Sequence, residues 1–172
     1  MPQTLPALGI DIGGGSAKIG IVSPHGELLA QDVVASEPNV GAPALIGRYL
    51  AMADRMRKSL GIEGFCGIGI GLPGHIDFKR GTTRLGNVPC LDDFPIVDYV
   101  SKKSGSKVYI ENDATLAALA ECRIAWRLAA SLQGAGAGSR SLRPNAQGLA
   151  TGTFTPHVVS RCANATRLCR PR

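Results

Sequence analysis

The chain has 172 residues, 44% of them hydrophobic, with a formal net charge of +6 and five cysteines. This is the length of one ordinary domain, which folds without disulfides or metal ions to hold it together. Five cysteines without a C-x-x-C spacing indicate neither a disulfide framework nor a zinc site. With no secretory pattern at the start and only short, glycine-broken apolar stretches, the sequence predicts a cytoplasmic protein without membrane contact.

The positive charge belongs to the C-terminal segment. Residues 1–121 contain 11 basic and 13 acidic residues, whereas residues 122–172 contain eight arginines and no acidic residue. The segment 122–172 is rich in Arg, Ala and Gly and has no sustained periodicity, so we expect it to be disordered or read out of frame from near Glu121. Nucleic-acid binding is not predicted, because basic tails of that kind are usually rich in lysine.

The first predicted element is a strand that ends in three glycines, within the stretch GIDIGGGSAKIGIV. Leu8, Ile10 and Ile12 alternate before the glycines, and strand character returns from Ile19 to Val22. Gly13–Gly15 is therefore predicted to be a hairpin tip, unlike the strand-to-helix turn of a dinucleotide fingerprint or a P-loop. Two interpretations remain open: an ordinary tight turn, or a tip whose backbone N–H groups bind phosphate.

The elements after this hairpin alternate strand with helix. The order of the whole chain predicts an α/β fold with a mixed β-sheet flanked by helices. The predicted elements are a strand at 27–34, a helix at 42–60 with Leu45, Tyr49, Met52, Met56 and Leu60 on its apolar face, a buried strand at 66–70, a loop at 71–77, a short helix capped by Asp93 that ends near Gly105, a strand at 107–111, and a helix from Ala114.

Three polar features are predicted to meet at the carboxyl ends of these strands: the Gly13–Gly15 tip, the 71–77 loop, and Asn112 with Asp113. A carboxylate there can accept a hydroxyl proton, and an amide beside it can hold the hydroxyl, as phosphoryl transfer to an alcohol requires. Asp113 has a second interpretation, as the N-cap of the helix from Ala114. One residue can serve in both roles.

Four motifs, in this order and spacing, resemble the ROK family of repressors and sugar kinases, which have the actin-like ATPase (ribonuclease H-like) fold. The resemblance covers residues 8–121 and implies the N-terminal lobe of that fold. The motifs are Asp11-Ile12-Gly13-Gly14 with Lys18; Gly69-Ile70-Gly71-Leu72-Pro73-Gly74 with Asp77; Gly86-Asn87-Val88-Pro89; and Glu111-Asn112-Asp113-Ala114 with Ala117, Ala118 and Glu121.

The resemblance implies a role for each matching residue, with ATP and Mg²⁺ as cofactors and a hexose as substrate. Asp113 would be the general base. The residues on the side of the site that binds the sugar would be Asn112, Asn87, Gly71, Pro73 and Gly74. On the side that binds the ATP phosphates, the loop would be Gly13, Gly14 and Gly15. Lys18 would support this hairpin, and Asp11 would lie near the metal.

Departures from the family pattern limit these expectations. The family usually has Thr at the position of Gly15, and the sequence contains no E-x-G-H motif, no C-x-C-G-x-x-G-C cluster and no second glycine-rich nucleotide loop. We therefore expect no structural zinc, and the homodimer of the family is doubtful for this chain. We also expect little kinase activity, because one lobe has no second lobe on which to close. Three function classes follow: a sugar kinase of glucose or an N-acetylated hexosamine, a ROK repressor, and a non-catalytic binding fragment. The repressors carry a helix-turn-helix domain ahead of the sugar-binding fold, and we expect no room for one here because the first strand begins by Leu8.

Overall fold

The structure, a computed structural model, describes residues 5–122. Seven strands form two sheets: β1 (Ala7–Ile12), β2 (Ser16–Val22), β3 (Leu28–Ala35), β4 (Ile68–Leu72), β5 (His75–Asp77), β6 (Thr82–Arg84) and β7 (Val108–Asn112). The main sheet has the order β3-β2-β1-β4-β7, and β5 pairs with β6 in a small second sheet. Strands β1, β2 and β3 pair antiparallel, whereas β4 runs parallel to β1 and β7 parallel to β4. The predicted mixed sheet is confirmed.

The helices are α1 (Ala42–Ser59), α2 (Ile96–Ser104) and α3, which is helical over the described residues 113–122. Strand alternation puts Ile10, Ile19 and Ile70 on one face of the main sheet, and all three are buried in the same core as the apolar face of α1. Each side chain of this size contributes roughly 1.5–3 kcal/mol when fully buried. Within residues 5–122, no helix is both long enough and apolar enough to cross a bilayer.

The apolar face of α1 is close to the predicted one. Leu45, Tyr49 and Met56 are buried, as their spacing predicts, and Met52 is half-buried. Leu60, predicted as the last member of this face, instead follows the end of α1 and is 41% exposed. A residue beyond the last helical turn no longer points along the helix stripe, which explains the difference.

The prediction that Asp93 caps α2 is wrong. The helix begins at Ile96, its N-cap position is Pro95, and no side chain caps it. Asp93 has a positive φ of 53°, its backbone N–H donates to the Thr83 carbonyl, and its carboxylate pairs with Arg84 at 3.3 Å. Asp tolerates the left-handed conformation better than most residues, so a tertiary contact uses this side chain instead of the helix end.

The predicted loop at 71–77 contains more regular structure than expected. Strand β4 continues to Leu72, and His75–Asp77 forms β5. The strands predicted at 66–70 and 107–111 are each observed slightly later in the chain, because the parallel register that pairs Leu8 with Ile68 and Ile68 with Val108 fixes both starts. The predictions for the segment beyond Cys122 lie outside the described residues.

Candidate active site

The carboxyl ends of β1, β4 and β7 lie side by side. Parallel register pairs Asp11 with Gly71 and Gly71 with Glu111. Gly13–Gly15 follows β1, Pro73 and Gly74 follow β4, and Asp113 follows β7. The fold therefore brings the three predicted polar features to one edge of the main sheet.

Asn112 links two of these features through its side-chain amide. Its Nδ2 donates to the Gly74 carbonyl at 3.0 Å, while its Oδ1 accepts from the N–H groups of Ala114 at 3.0 Å and Thr115 at 3.3 Å. Asn112 is thus the residue that caps α3. The amide oxygen is used twice, and one of the two Nδ2 hydrogens is used once, so the amide retains one donor.

Asp113 occupies the first helical position of α3 and is exposed. Its Oδ1 accepts from the adjacent Ala114 N–H at 2.8 Å, but the cap geometry belongs to Asn112. The predicted N-cap role of Asp113 is therefore wrong in detail, because the helix begins at Asp113 itself. Its carboxylate faces solvent at the carboxyl edge of the sheet, at the amino end of a helix that favours negative charge.

Asp11 is half-buried, and its carboxylate has an unusual electrostatic environment. Burial raises the pKa of Asp11, the positive charge of Lys18 lowers it, and the negative charge of Asp113 raises it further. Lys18 pairs with Asp11 across β1 and β2, so its charge acts on that carboxylate. The two carboxylates and the ammonium group form one interacting set.

The glycine tip is held by hydrogen bonds and close packing. The Gly13 N–H donates to the Ser16 carbonyl at 3.0 Å, and none of the three glycines has a positive φ. A Cβ on Gly14 would lie 3.2 Å from Cβ and Nδ2 of Asn87, whereas a Cβ on Gly15 would meet nothing within 4 Å. Space, rather than backbone conformation, is the reason for glycine at position 14. Asn87, predicted on the sugar side, packs against the predicted phosphate side.

Two residues at this edge were not predicted as part of the site. Ser36 follows β3, and its hydroxyl donates to the Gly13 carbonyl at 2.9 Å and contacts the Tyr49 hydroxyl at 2.9 Å. Tyr49 was predicted only as a core residue of α1. A serine 23 positions along the chain from Gly13 carries no local signal, so sequence spacing could not reveal this contact.

The comparisons with known proteins agree with this geometry. A family model described as "ROK family" matches residues 7–131. The chain belongs to the ROK family. The match continues past Glu121, where the resemblance in the motifs ends.

Several ROK relatives are similar over the same part of the chain. The glucokinase of Thermotoga maritima is 33% identical over 122 residues, which are 70% of this chain and 37% of that protein. A ROK hexokinase structure from Thermus thermophilus matches with a TM-score of 0.62 at 34% identity. The match covers 68% of this chain and 38% of the hexokinase chain. A Streptomyces griseus ROK glucokinase, solved with glucose and AMPPNP, has a TM-score of 0.59 at 31% identity over 67% of this chain and 36% of its own. The chain spans well under half the length of each.

A magnesium ion at this edge would have few protein ligands. The described residues contain no cluster of three or more acidic, His or Cys side chains suited to a metal. Mg²⁺ with a bound nucleotide usually takes only one or two protein carboxylates. Asp11 would supply one, and Lys18, paired with Asp11 across β1 and β2, offsets part of the negative charge of Asp11 and Asp113.

Proposed function

We propose that these residues form one side of a phosphoryl-transfer site, at which ATP phosphorylates a hydroxyl of a hexose. The observation that carries the proposal is the position of Asp113. It is an exposed carboxylate that directly follows β7, at the same edge of the sheet as Asp11, which lies two residues before the glycine tip. In this proposal, Asp113 is the general base and the glycine tip is the phosphate cradle, and both lie at one edge of the sheet. That pairing is the minimum that transfer to an alcohol requires.

Each residue has a defined task in this proposal. The remaining N–H of Asn112 donates to the acceptor hydroxyl, and Asp113 accepts the hydroxyl proton while the oxygen forms its bond to the γ-phosphorus and the bond to ADP breaks. Backbone N–H groups of the tip bind donor phosphates, because glycines put no side chains in the way of an anion. Bound Mg²⁺ would neutralise phosphate charge beside Asp11.

We further propose glucose or an N-acetylated hexosamine as the acceptor. The support is the similarity to sugar kinases, among them a glucokinase and a structure that contains glucose and AMPPNP. Lobe closure aligns the reacting groups and excludes water in kinases of this shape. Because the chain spans 37% of the glucokinase it matches, we expect turnover by the 172-residue chain to be low.

Binding without turnover is the second candidate function, and the same short span favours it. One side of a cleft can hold a sugar or a nucleotide even where the aligned, closed state is not reached. The two candidates differ in a measurable way: both predict saturable binding, but only the first predicts transfer of phosphate.

The test measures binding and transfer on the same preparation. Calorimetry with glucose, N-acetylglucosamine and MgADP is followed by transfer of labelled γ-phosphate from ATP to the sugar. We expect Asp113→Asn to keep sugar affinity but to lower transfer by at least about 100-fold, the usual contribution of a general base. Asp98→Asn is the matched control, because Asp98 is also an exposed acidic residue in the first turn of a helix.

The outcomes separate the candidates. Transfer that depends on Asp113 and not on Asp98 supports the kinase. Binding with no transfer supports the second candidate. A chain that binds neither a sugar nor MgADP overturns both candidates. Transfer that Asp113→Asn leaves at the level of Asp98→Asn overturns the assignment of Asp113 as the general base.

A further inference from the structure

Ser36 contacts both ends of the glycine tip. Its backbone N–H donates to the Gly15 carbonyl at 3.0 Å, and its hydroxyl donates to the Gly13 carbonyl at 2.9 Å. The residue lies immediately after β3, the strand that pairs with β2 beside the tip. One residue from a neighbouring strand therefore holds the first and third glycines, while Gly14 between them packs against Asn87.

The hydrogen-bond donors in this contact can be assigned from chemistry. A serine hydroxyl has one proton, and a carbonyl oxygen can only accept. Since Ser36 donates its proton to the Gly13 carbonyl, the Tyr49 hydroxyl must be the donor in its contact with Ser36. Burial raises the pKa of Tyr49, which keeps this donor protonated in the neutral range.

The contact is buried, so water cannot easily replace the hydrogen bonds that a substitution of Ser36 or Tyr49 would remove. Ser36 is 8% exposed, and Tyr49, on the buried face of α1, is fully buried. Glycine loses more backbone freedom on folding than any other residue, and three in a row have no side chains with which to hold themselves in place. A phosphate cradle made of such residues needs its rigidity from outside the tip, because preorganised donors bind better than donors that must first be ordered.

We propose that Ser36, supported by the Tyr49 hydroxyl, is a positioning residue that holds the glycine tip in the conformation that binds the donor phosphates. The proposal rests on the phosphoryl-transfer function proposed above and adds to it Ser36, which follows β3, and Tyr49 of α1. Neither side chain touches a substrate. The expected effect is therefore on nucleotide affinity and on the order of the tip, with sugar affinity unchanged.

The chain offers a matched control in Ser23. Ser23 is also 8% exposed, and its hydroxyl accepts from the N–H groups of His25 at 3.2 Å and Glu27 at 3.1 Å. It holds the turn between β2 and β3, at the other end of these strands. Ser23→Ala therefore removes a comparable buried hydroxyl and tests for a general loss of stability.

The variants are Ser36→Ala, Ser36→Thr, Tyr49→Phe and Ser23→Ala, all in the 172-residue chain. We expect Ser36→Ala to weaken MgADP binding about tenfold. The substitution removes a buried hydrogen bond and leaves the Gly13 carbonyl and the Tyr49 hydroxyl without their partner Ser36. Tyr49→Phe should weaken it about threefold, because Ser36 still donates to Gly13. Ser36→Thr keeps the hydroxyl and should restore most of the affinity, and Ser23→Ala should leave MgADP affinity unchanged.

Amide hydrogen exchange of residues 13–16 gives a readout independent of the ligand. Exchange there should be faster in Ser36→Ala than in the unsubstituted chain and unaffected by Ser23→Ala, with glucose affinity equal in all variants. Equal exchange in Ser36→Ala and Ser23→Ala would overturn the positioning role, even if the chain binds MgADP. Faster exchange only in Ser36→Ala, with no MgADP binding by the unsubstituted chain, would instead overturn the assignment of the tip to phosphate.

Discussion

The two turns that flank β2 differ in what holds them. The turn at 23–27 is closed by its own residues: the Ser23 N–H donates to the Glu27 carbonyl at 2.8 Å, and Gly26 has a φ of 91°. The glycine tip at 13–15 has no positive φ and depends on Ser36, from a different part of the chain. The first turn is determined locally and needs glycine for its backbone. The second has one local bond, from the Gly13 N–H to the Ser16 carbonyl, and is also held by the tertiary contacts of Ser36; at Gly14 it needs glycine for space.

The largest expected effect tests a third turn in which both demands coincide. Gly74 has a φ of 92°, and a Cβ there would clash with the Arg84 carbonyl oxygen. Backbone strain and a backbone clash add, so we expect Gly74→Ala to lower the free energy of unfolding by at least about 3 kcal/mol. Its carbonyl also accepts from Asn112, so glucose affinity should fall as well. Urea unfolding and calorimetry measure the two effects, and a loss below about 1 kcal/mol would contradict the clash.

The second prediction concerns the locally determined turn. Gly26→Ala should cost about 1–2 kcal/mol of unfolding free energy, because an L-residue is strained at positive φ. MgADP affinity should not change, since the turn lies at the other end of β2. Gly47, in the middle of α1 with nothing within 4 Å of its Cβ position, is the control. Gly47→Ala should stabilise the chain, and a Gly26→Ala chain that loses nucleotide affinity would erase the distinction between the turns.

Adjacent positions within the glycine tip sharpen the distinction. Gly14→Ala meets Asn87 at 3.2 Å, so one of the two must shift, and we expect MgADP affinity to fall about threefold to tenfold. Gly15→Ala meets nothing within 4 Å and should leave affinity within about twofold, with stability unchanged or higher. Calorimetry with MgADP compares the two variants. Equal losses at both positions would mean that packing against Asn87 is not what requires glycine.

The smallest expected effect is a pH dependence at the carboxyl edge. Burial holds the pKa of Asp11 above its ordinary value of 3.8, so ionised Asp11 costs stability in the folded chain. As pH rises from below 3.8 through the raised pKa, the unsubstituted chain should lose stability relative to Asp11→Asn. The two chains should be nearly equal below pH 3.8. Urea unfolding at several pH values measures the difference, and a gap that narrows with rising pH would contradict the sign.

Much of the fold followed from local pattern. The alternation of Leu8, Ile10 and Ile12, the glycines after it and the apolar spacing of α1 predicted the hairpin and the first helix in the correct places. The prediction failed at Asp93, where a helix-capping residue type is used in ion pairs with Arg80 and Arg84. It was incomplete at 71–77, because the short pairing of His75–Asp77 with Thr82–Arg84 depends on tertiary context more than on its own residues.

The sequence by itself determined the chain order of the main-sheet strands and α-helices, the family, and the residues that gather at the carboxyl edge. Local residue types carry the periodicity of each of these elements. Only the tertiary structure decided that Asn112 caps α3 and binds the Gly74 carbonyl, that Asn87 packs on Gly14, and that Ser36 and Tyr49 hold the glycine tip. Those contacts join residues far apart in the chain. Their partners are chosen by the packing of strands and helices, which no local spacing records.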